Sequence, residues 1–331
     1  MSSSLITHRI KNWSAYNQIL QDRWDLDLWF SPEVIHKWHK TGSAQAHYTN
    51  QAIQVCLTIR ALFNLSLRAT QGVLNSLIKR LELPIKCPHY SQLSRRAKGL
   101  DKIKIPRKRG SSAFCLAIDS TGLKVYGQGE WHVRQHQSSK RRTWRKMHIA
   151  MDPVTQQIIS CMVTPATVHD STVVPQLLKP IKDPLKKLYA DGAYDNRKVH
   201  KLLYKRGIKP LIPPSTKIKQ TYSKRWKGNL GKKYVIDPYP ELYWRNQAIE
   251  HRDQFCDPKE GREDWKKSSG YHLRSLVETT MMRFKRTFTD KLRSRTLANQ
   301  KSEVYIKALI LNKFIEIGFP YTVPVTYPAA Q

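Results

Sequence analysis

The sequence predicts an α/β protein built on a mixed β-sheet with an insertion, preceded by a mostly helical N-terminal domain. Three observations lead there. Residues 114–212 hold short apolar runs, at first in series and then alternating with amphipathic helical segments. Residues 12–100 carry helical spacing and helix-capping residues. A formal net charge of +33 over 331 residues is spread along a chain that is still 40% hydrophobic, so the basic residues coat a folded body.

In the first hundred residues, Trp13, Tyr16, Leu20, Trp24, Leu28 and Trp29 recur at roughly helical spacing, with a break expected at Ser31-Pro32. Asn50 is placed to cap a helix through Leu62, Asn64-Leu65-Ser66 reads as a short turn, and Ser66 caps a second helix to about Leu81. Two helices across a tight turn suggest a helix-turn-helix. A third, short helix capped by Ser91 carries Arg95, Arg96 and Lys98 towards DNA, against the alternative of an ordinary solvated face. The basic run 102–110 reads as a linker, which sets the first domain at 1–101 and the second at 111–331.

Strands are expected at Phe114–Ile118, Leu123–Tyr126, Met147–Met151 and Ile158–Val163, with Asp152-Pro153 as a turn. A helix over Asp170–Leu178, a strand at Lys187–Ala190, a helix from Asp195 ended by Gly207 and a strand at Ile208–Ile212 follow. Strands in series and then alternation with helices is the RNase H-like order. From 213 to about 270 the pattern dissolves into an insertion in which only Tyr243–Phe255 looks weakly helical. The tail, Glu303–Ile317, reads as a last helix packed on the second domain.

The charge surplus calls for a polyanion. Double-stranded DNA suits many dispersed Lys and Arg, whereas a membrane surface wants a basic amphipathic helix or a lipidation signal, and neither is found. The five cysteines are far apart and never in a C-x-x-C pair, as reduced core residues are. With neither a signal peptide nor an apolar span in view, a cytoplasmic protein beside the nucleoid is expected.

Asp119 and Asp191 each follow a buried apolar run, where a carboxylate emerges from a sheet into a cleft able to hold a divalent cation. The competing role for each is a turn or helix cap. Further on, Tyr271, Arg274, Glu278 and Lys285 fall within roughly 60° of one helical stripe at about 100° per residue. Leu273, Leu276, Val277 and Phe284 take the opposite arc, with Met281 and Phe288 near its boundary and Met282 as an exception on the polar side. A surface helix with an Arg274–Glu278 ion pair is the alternative.

Tyr271-x2-Arg274-x3-Glu278-x6-Lys285, Leu116-Ala117-Ile118-Asp119-Ser120-Thr121-Gly122-Leu123-Lys124 and Ala190-Asp191-Gly192-Ala193-Tyr194-Asp195 together resemble bacterial insertion-sequence transposases of the DDE type. The likeness is to the insertion-sequence-five-like group with the Y-x2-R-x3-E-x6-K signature, and it extends from about Asn12 to Asn312. It implies that Asp119, Asp191 and Glu278 bind two Mg²⁺ ions, with Mn²⁺ as a substitute, and that Tyr271, Arg274 and Lys285 hold substrate phosphates. It implies an N-terminal domain on the terminal inverted repeats, Mg²⁺-dependent cleavage and strand transfer, and a homodimer or higher oligomer on DNA. The alternatives are an RNase H-like nuclease and a non-catalytic descendant of a transposase.

The insertion carries Lys217, Lys219, Lys224, Arg225, Lys227, Lys232 and Lys233, and one of Trp226, Trp244 and Trp265 is expected to stack on an unstacked base at the element's end, the alternative being plain core packing. Arg145 and Lys146, with residues 140–142, are expected on a DNA-facing edge, the alternative being a soluble loop. Asp170 is assigned to helix capping, Asp152 to a turn, and His148 and His169 to core or supporting positions rather than metal ligation.

Overall fold

A computed structural model describes residues 5–39, 48–102, 105–106, 114–125, 144–220, 223–224, 235–236 and 239–327. Two compact units emerge, residues 1–97 together with 309–331, and residues 98–308. The tail thus groups with the N-terminal helices, although the sequence assigned it to the second domain. A two-stranded antiparallel ribbon explains the difference: β1 (Leu5–Ile10) pairs with β10 (Thr322–Tyr327).

The first unit holds α1 (Trp13–Asp22), α2 (Pro32–His36), α3 (Asn50–Leu62), α4 (Leu67–Arg80) and α5 (Tyr90–Ala97). Pro32 starts α2 instead of merely breaking the chain, because its fixed φ and missing N–H suit a first helical position. The Thr49 hydroxyl, one residue before the expected cap, accepts from Ala52 N and starts α3; the Ser66 hydroxyl accepts from Ala69 N and starts α4. These two helices meet at 108° across Phe63–Ser66, where Asn64 takes a left-handed φ of 50°. Apolar residues of α3, Leu74 and Ile78 of α4, and Leu93 and Ala97 of α5 form a shared core. No single described helix is long and apolar enough to cross a membrane.

The second unit is built on β2 (Phe114–Val125), β3 (Trp144–Met151), β4 (Ile158–Pro165), β5 (Leu185–Tyr189) and β6 (Lys209–Leu211), in the order β4-β3-β2-β5-β6. The first three strands run antiparallel, while β5 and β6 are parallel to β2. The two strands expected at 114–118 and 123–126 form one: Asp119 to Gly122 remain in the ladder opposite Ile149 to Lys146. Polar side chains there masked a backbone whose pairing continues. The expected Asp152 turn is present, with the carboxylate accepting from Val154 N at 2.9 Å.

On one face of the sheet, α6 (Asp170–Leu178) and α7 (Arg197–Lys205) bury Val174, Leu177, Val199 and Leu203 against Leu116, Ile118 and Leu188. On the other lies α10 (Ser275–Phe288), which buries Val277, Thr280, Met281, Phe284 and Phe288. Burial from both sides is why Leu116-Ala117-Ile118 reads as a continuous apolar run rather than an alternating one. β7 (Ser223–Lys224) and β8 (Val235–Ile236) pair within the insertion, and β9 (Lys291–Leu292) joins the end of β2.

The insertion also holds α8 (Tyr243–Asp253) and α9 (Pro258–Ser268), the second absent from the sequence expectation. The Asp257 carboxylate caps α9 by accepting from Lys259 N, and Pro258 takes its first position. Its mean hydropathy is low because it carries Lys, Glu, Arg and Asp around a small buried face, Gly261 and Trp265. Asp195 anchors the insertion, accepting from Arg245 Nε at 2.9 Å and meeting His200 Nε2 at 2.9 Å. The remaining helix, α11 (Leu297–Ile317), starts earlier than expected.

Two outcomes follow. A Cβ on Gly261 would meet the Arg252 carbonyl oxygen at 2.3 Å, a backbone atom with little room to retreat. Gly261→Ala is therefore expected to lower stability by about 1–3 kcal/mol in urea titrations. Glu303 is buried, which alone raises its pKa, but Lys307 Nζ at 2.8 Å and the backbone N–H groups of Ser294 and Arg293 bring it below the usual glutamate value. A depressed folded-state pKa contributes stability above the unfolded value of about 4.3 and loses it as pH falls through the folded value. The melting-temperature gap between the parent and Glu303→Gln should therefore narrow on acidification below about pH 4.3.

Candidate active site

The parallel register pairs Ala117 with Tyr189, so Asp119 and Asp191 each follow a paired residue by two positions. β5 stops at Tyr189 while β2 continues, which places Asp119 in mid-strand rather than at a strand end. It reaches the cleft because its neighbour has ended. Asp191 leads the single-turn 3₁₀ helix Gly192–Tyr194 and caps it, its Oδ1 accepting from Ala193 N at 2.9 Å. The Asp119 Oδ1 accepts from Ser120 N at 2.8 Å. Both aspartates therefore commit one oxygen to the backbone and leave Oδ2 for the cleft.

One guanidinium occupies the meeting point. Arg274 Nη2 donates to Asp119 Oδ2 at 2.5 Å and lies 3.9 Å from Asp191 Oδ2, while Nη1 donates to Glu278 Oε1. Glu278 comes from the first turn of α10. The expected continuous helix from Tyr271 begins instead as a 3₁₀ turn, Tyr271–Arg274, after Gly270 at a φ of 75°. This arrangement brings all three predicted acids together around one cation. They are fanned around the guanidinium: among the described residues, no group of three His, Cys, Asp or Glu side chains is gathered as a metal site.

The rest of the stripe follows the strand ends. Tyr271 donates its hydroxyl to the Ala190 carbonyl at 3.1 Å, fixing the backbone just before Asp191. Burial pushes that phenol up to about 12, so it stays protonated. Lys285 Nζ donates to Thr121 Oγ1 at 2.7 Å, two residues beyond Asp119 on the same face of β2. On the Lys285 side an open cleft of about 800 Å³ is lined by Asp119, Thr121, Glu278 and Lys285. Thr121 and the buried Tyr194 were not singled out in the sequence; the i, i+2 spacing from Asp119 was the available signal for the first.

Several other predicted residues are placed differently. Lys146 donates to Asp170 Oδ1 and to the Val168 carbonyl, both at 3.0 Å, and Arg145 Nε donates to Gln300 Oε1 at 2.9 Å, so both have intramolecular partners. His169, not Asp170, caps α6 through its ring nitrogen, while Asp170 neutralises Lys146. His148 is buried, with Nε2 meeting Thr164 Oγ1 at 2.8 Å. Arg96 donates to Tyr48 O and Asn50 Oδ1, whereas Arg95 and Lys98 are exposed.

Trp265 is buried, its ring 6.0 Å from that of Tyr271, which corrects its expected role as a base-stacking platform. Trp244 is partly exposed beneath Lys209, whose Nζ lies 4.0 Å from the ring centre. Trp226 and residues 140–142 lie outside the described residues.

A family model described as "Transposase DDE domain" matches residues 112–313, more than half of the chain. This chain belongs to the DDE transposase family. A second model with the same description matches residues 21–128 of this transposase. Among solved structures, a cryo-EM structure of a piggyBac transposase synaptic complex with hairpin DNA is 12% identical, covering 95% of this chain and 84% of that one. Its TM-score is 0.28.

The electrostatics of the transposase cleft centre on Asp119. Burial pushes its carboxyl up to about 6; Arg274 and Ser120 N pull it down, while Asp191 and Glu278 push it up. Arg274→Ala removes the larger of the two influences that lower it. Carboxyl-carbon NMR titration should then place Asp119 above its value in the parent; an unchanged value would mean that Arg274 is not its counter-ion in solution.

Proposed function

We propose that this transposase acts on the ends of an insertion sequence. Its N-terminal helices bind the terminal inverted repeats, and an RNase H-like domain cuts the DNA strand and joins the freed 3′-hydroxyl to target DNA. The convergence of Asp119, Asp191 and Glu278 on one cation carries this reading. The order β4-β3-β2-β5-β6, antiparallel on one side and parallel on the other, supports the RNase H-like assignment. The 108° angle between α3 and α4 and the exposed Arg95 and Lys98 support DNA binding by the helical part.

The donor set fits Mg²⁺: three carboxylates offer hard oxygen ligands around a position that a cationic group, the Arg274 guanidinium, already takes. When bound, Mg²⁺ activates the attacking hydroxyl and stabilises the leaving oxygen of a phosphodiester displacement. Arg274 releases the carboxylates and turns its fork to a DNA phosphate, which it matches in shape and charge. Lys285, held beside Thr121, adds a second positive group along the same strand. Tyr271 keeps the Asp191 backbone in place through Ala190. Two ends cut in one complex call for at least a dimer on DNA.

The test combines the purified protein, a labelled duplex carrying DNA that borders its gene, a supercoiled plasmid and Mg²⁺. Nicked and joined products are expected, and Asp119→Asn should reduce both by about a thousandfold or more, about 4 kcal/mol of barrier. Equal joining by the variant and the parent overturns the metal assignment. Hydrolysis without any joined product instead identifies a nuclease.

A further inference from the structure

We propose that Arg262, supplied by the insertion, is a phosphate-binding residue of the active site that grips a DNA phosphodiester on the Asp191 side of the cleft. The proposal rests on the DNA-cutting role given above, and names a contact that the signature residues do not provide. Arg262 lies on α9, and its Nη2 is 3.6 Å from the point where a Cβ on Gly192 would stand. Gly192 directly follows Asp191. The same guanidinium is close enough to Tyr271 to pull down the pKa of that phenol, although burial wins there.

Its position is held rather than free. Gly261 presses α9 against the Arg252 backbone, and Trp265, four residues further on, packs its ring on Tyr271. Yet Arg262 Nε is buried without a hydrogen-bond partner among the described residues. A charged fork held beside the residue that follows Asp191 suits an anionic acceptor at its terminal nitrogens, and a phosphodiester matches its planar geometry.

The neighbouring groups are already engaged. Asp191 turns one oxygen to Ala193 N and the other towards Arg274, and the Tyr271 hydroxyl is held by Ala190. Lys285 sits beside Thr121 on β2. Arg262 thus extends the line of cations past Asp191, where it can fix the direction in which a DNA strand crosses the three acids.

The test is a methylphosphonate scan, in which single uncharged phosphate replacements are placed along a duplex carrying DNA that borders the gene. Parent, Arg262→Ala and Arg262→Lys are compared by equilibrium binding and by Mg²⁺-dependent cleavage, after thermal melts establish folding. One replacement should weaken the parent roughly tenfold and add nothing in Arg262→Ala, with Arg262→Lys in between because it keeps the charge but loses the fork. If every replacement costs Arg262→Ala as much as it costs the parent, the contact does not exist. If Arg262→Ala unfolds, the Arg262→Lys scan decides on the same criterion. A parent that binds but does not cut overturns the proposed activity, while the binding scan still decides Arg262.

Discussion

Asp191 and Glu278 push the Asp119 carboxyl up, and a cation seated among the three acids opposes that push. In this transposase the cation is the guanidinium of Arg274, four residues before Glu278 and far along the chain from both aspartates. Its charge offsets part of the repulsion, and its planar fork sets where Asp119 Oδ2 points. Part of the negative charge is therefore offset from within, and any ligand that takes the acids must also give the guanidinium another anion. Under the proposed function a DNA phosphate meets that requirement, and metal binding and substrate binding would be linked through one side chain.

The scaffold around that pairing is stiff. Asp119 rises from the central strand of a sheet covered by helices on both faces, and Asp191 caps a 3₁₀ turn. With one oxygen of each tied to a backbone N–H, neither aspartate needs much side-chain reorganisation to ligate a cation. Glu278 is different. It stands on the exposed side of α10, over a buried stripe that runs from Val277 to Phe288, so it has more freedom than the aspartates.

The insertion packs against the backbone around Asp191. Asp195, from the same block as Asp191, binds Arg245 of α8, while α9 brings Trp265 to Tyr271 and Arg262 to Gly192. Glycine at 192 permits that approach, since a side chain there would also stand 3.3 Å from the Pro213 carbonyl oxygen. The insertion is thereby coupled to the strand end that carries the second acid.

The sequence by itself determined the helices with clear caps and the strands with apolar runs, and it singled out the three acids that the fold brings together, because these depend on spacing and on residue chemistry within short windows. Ser66 and the Tyr271-to-Lys285 stripe are examples. Tertiary structure alone decided which cations face those acids and which are already paired. Arg96, Arg145 and Lys146 look alike in composition to any DNA-facing group, yet each has a partner within the fold. It also decided that Ser120-Thr121-Gly122 stays in a strand, that Trp265 is core, and that β10 closes on β1. Those outcomes depend on partners tens to hundreds of residues away, and a local pattern carries no information about a distant register.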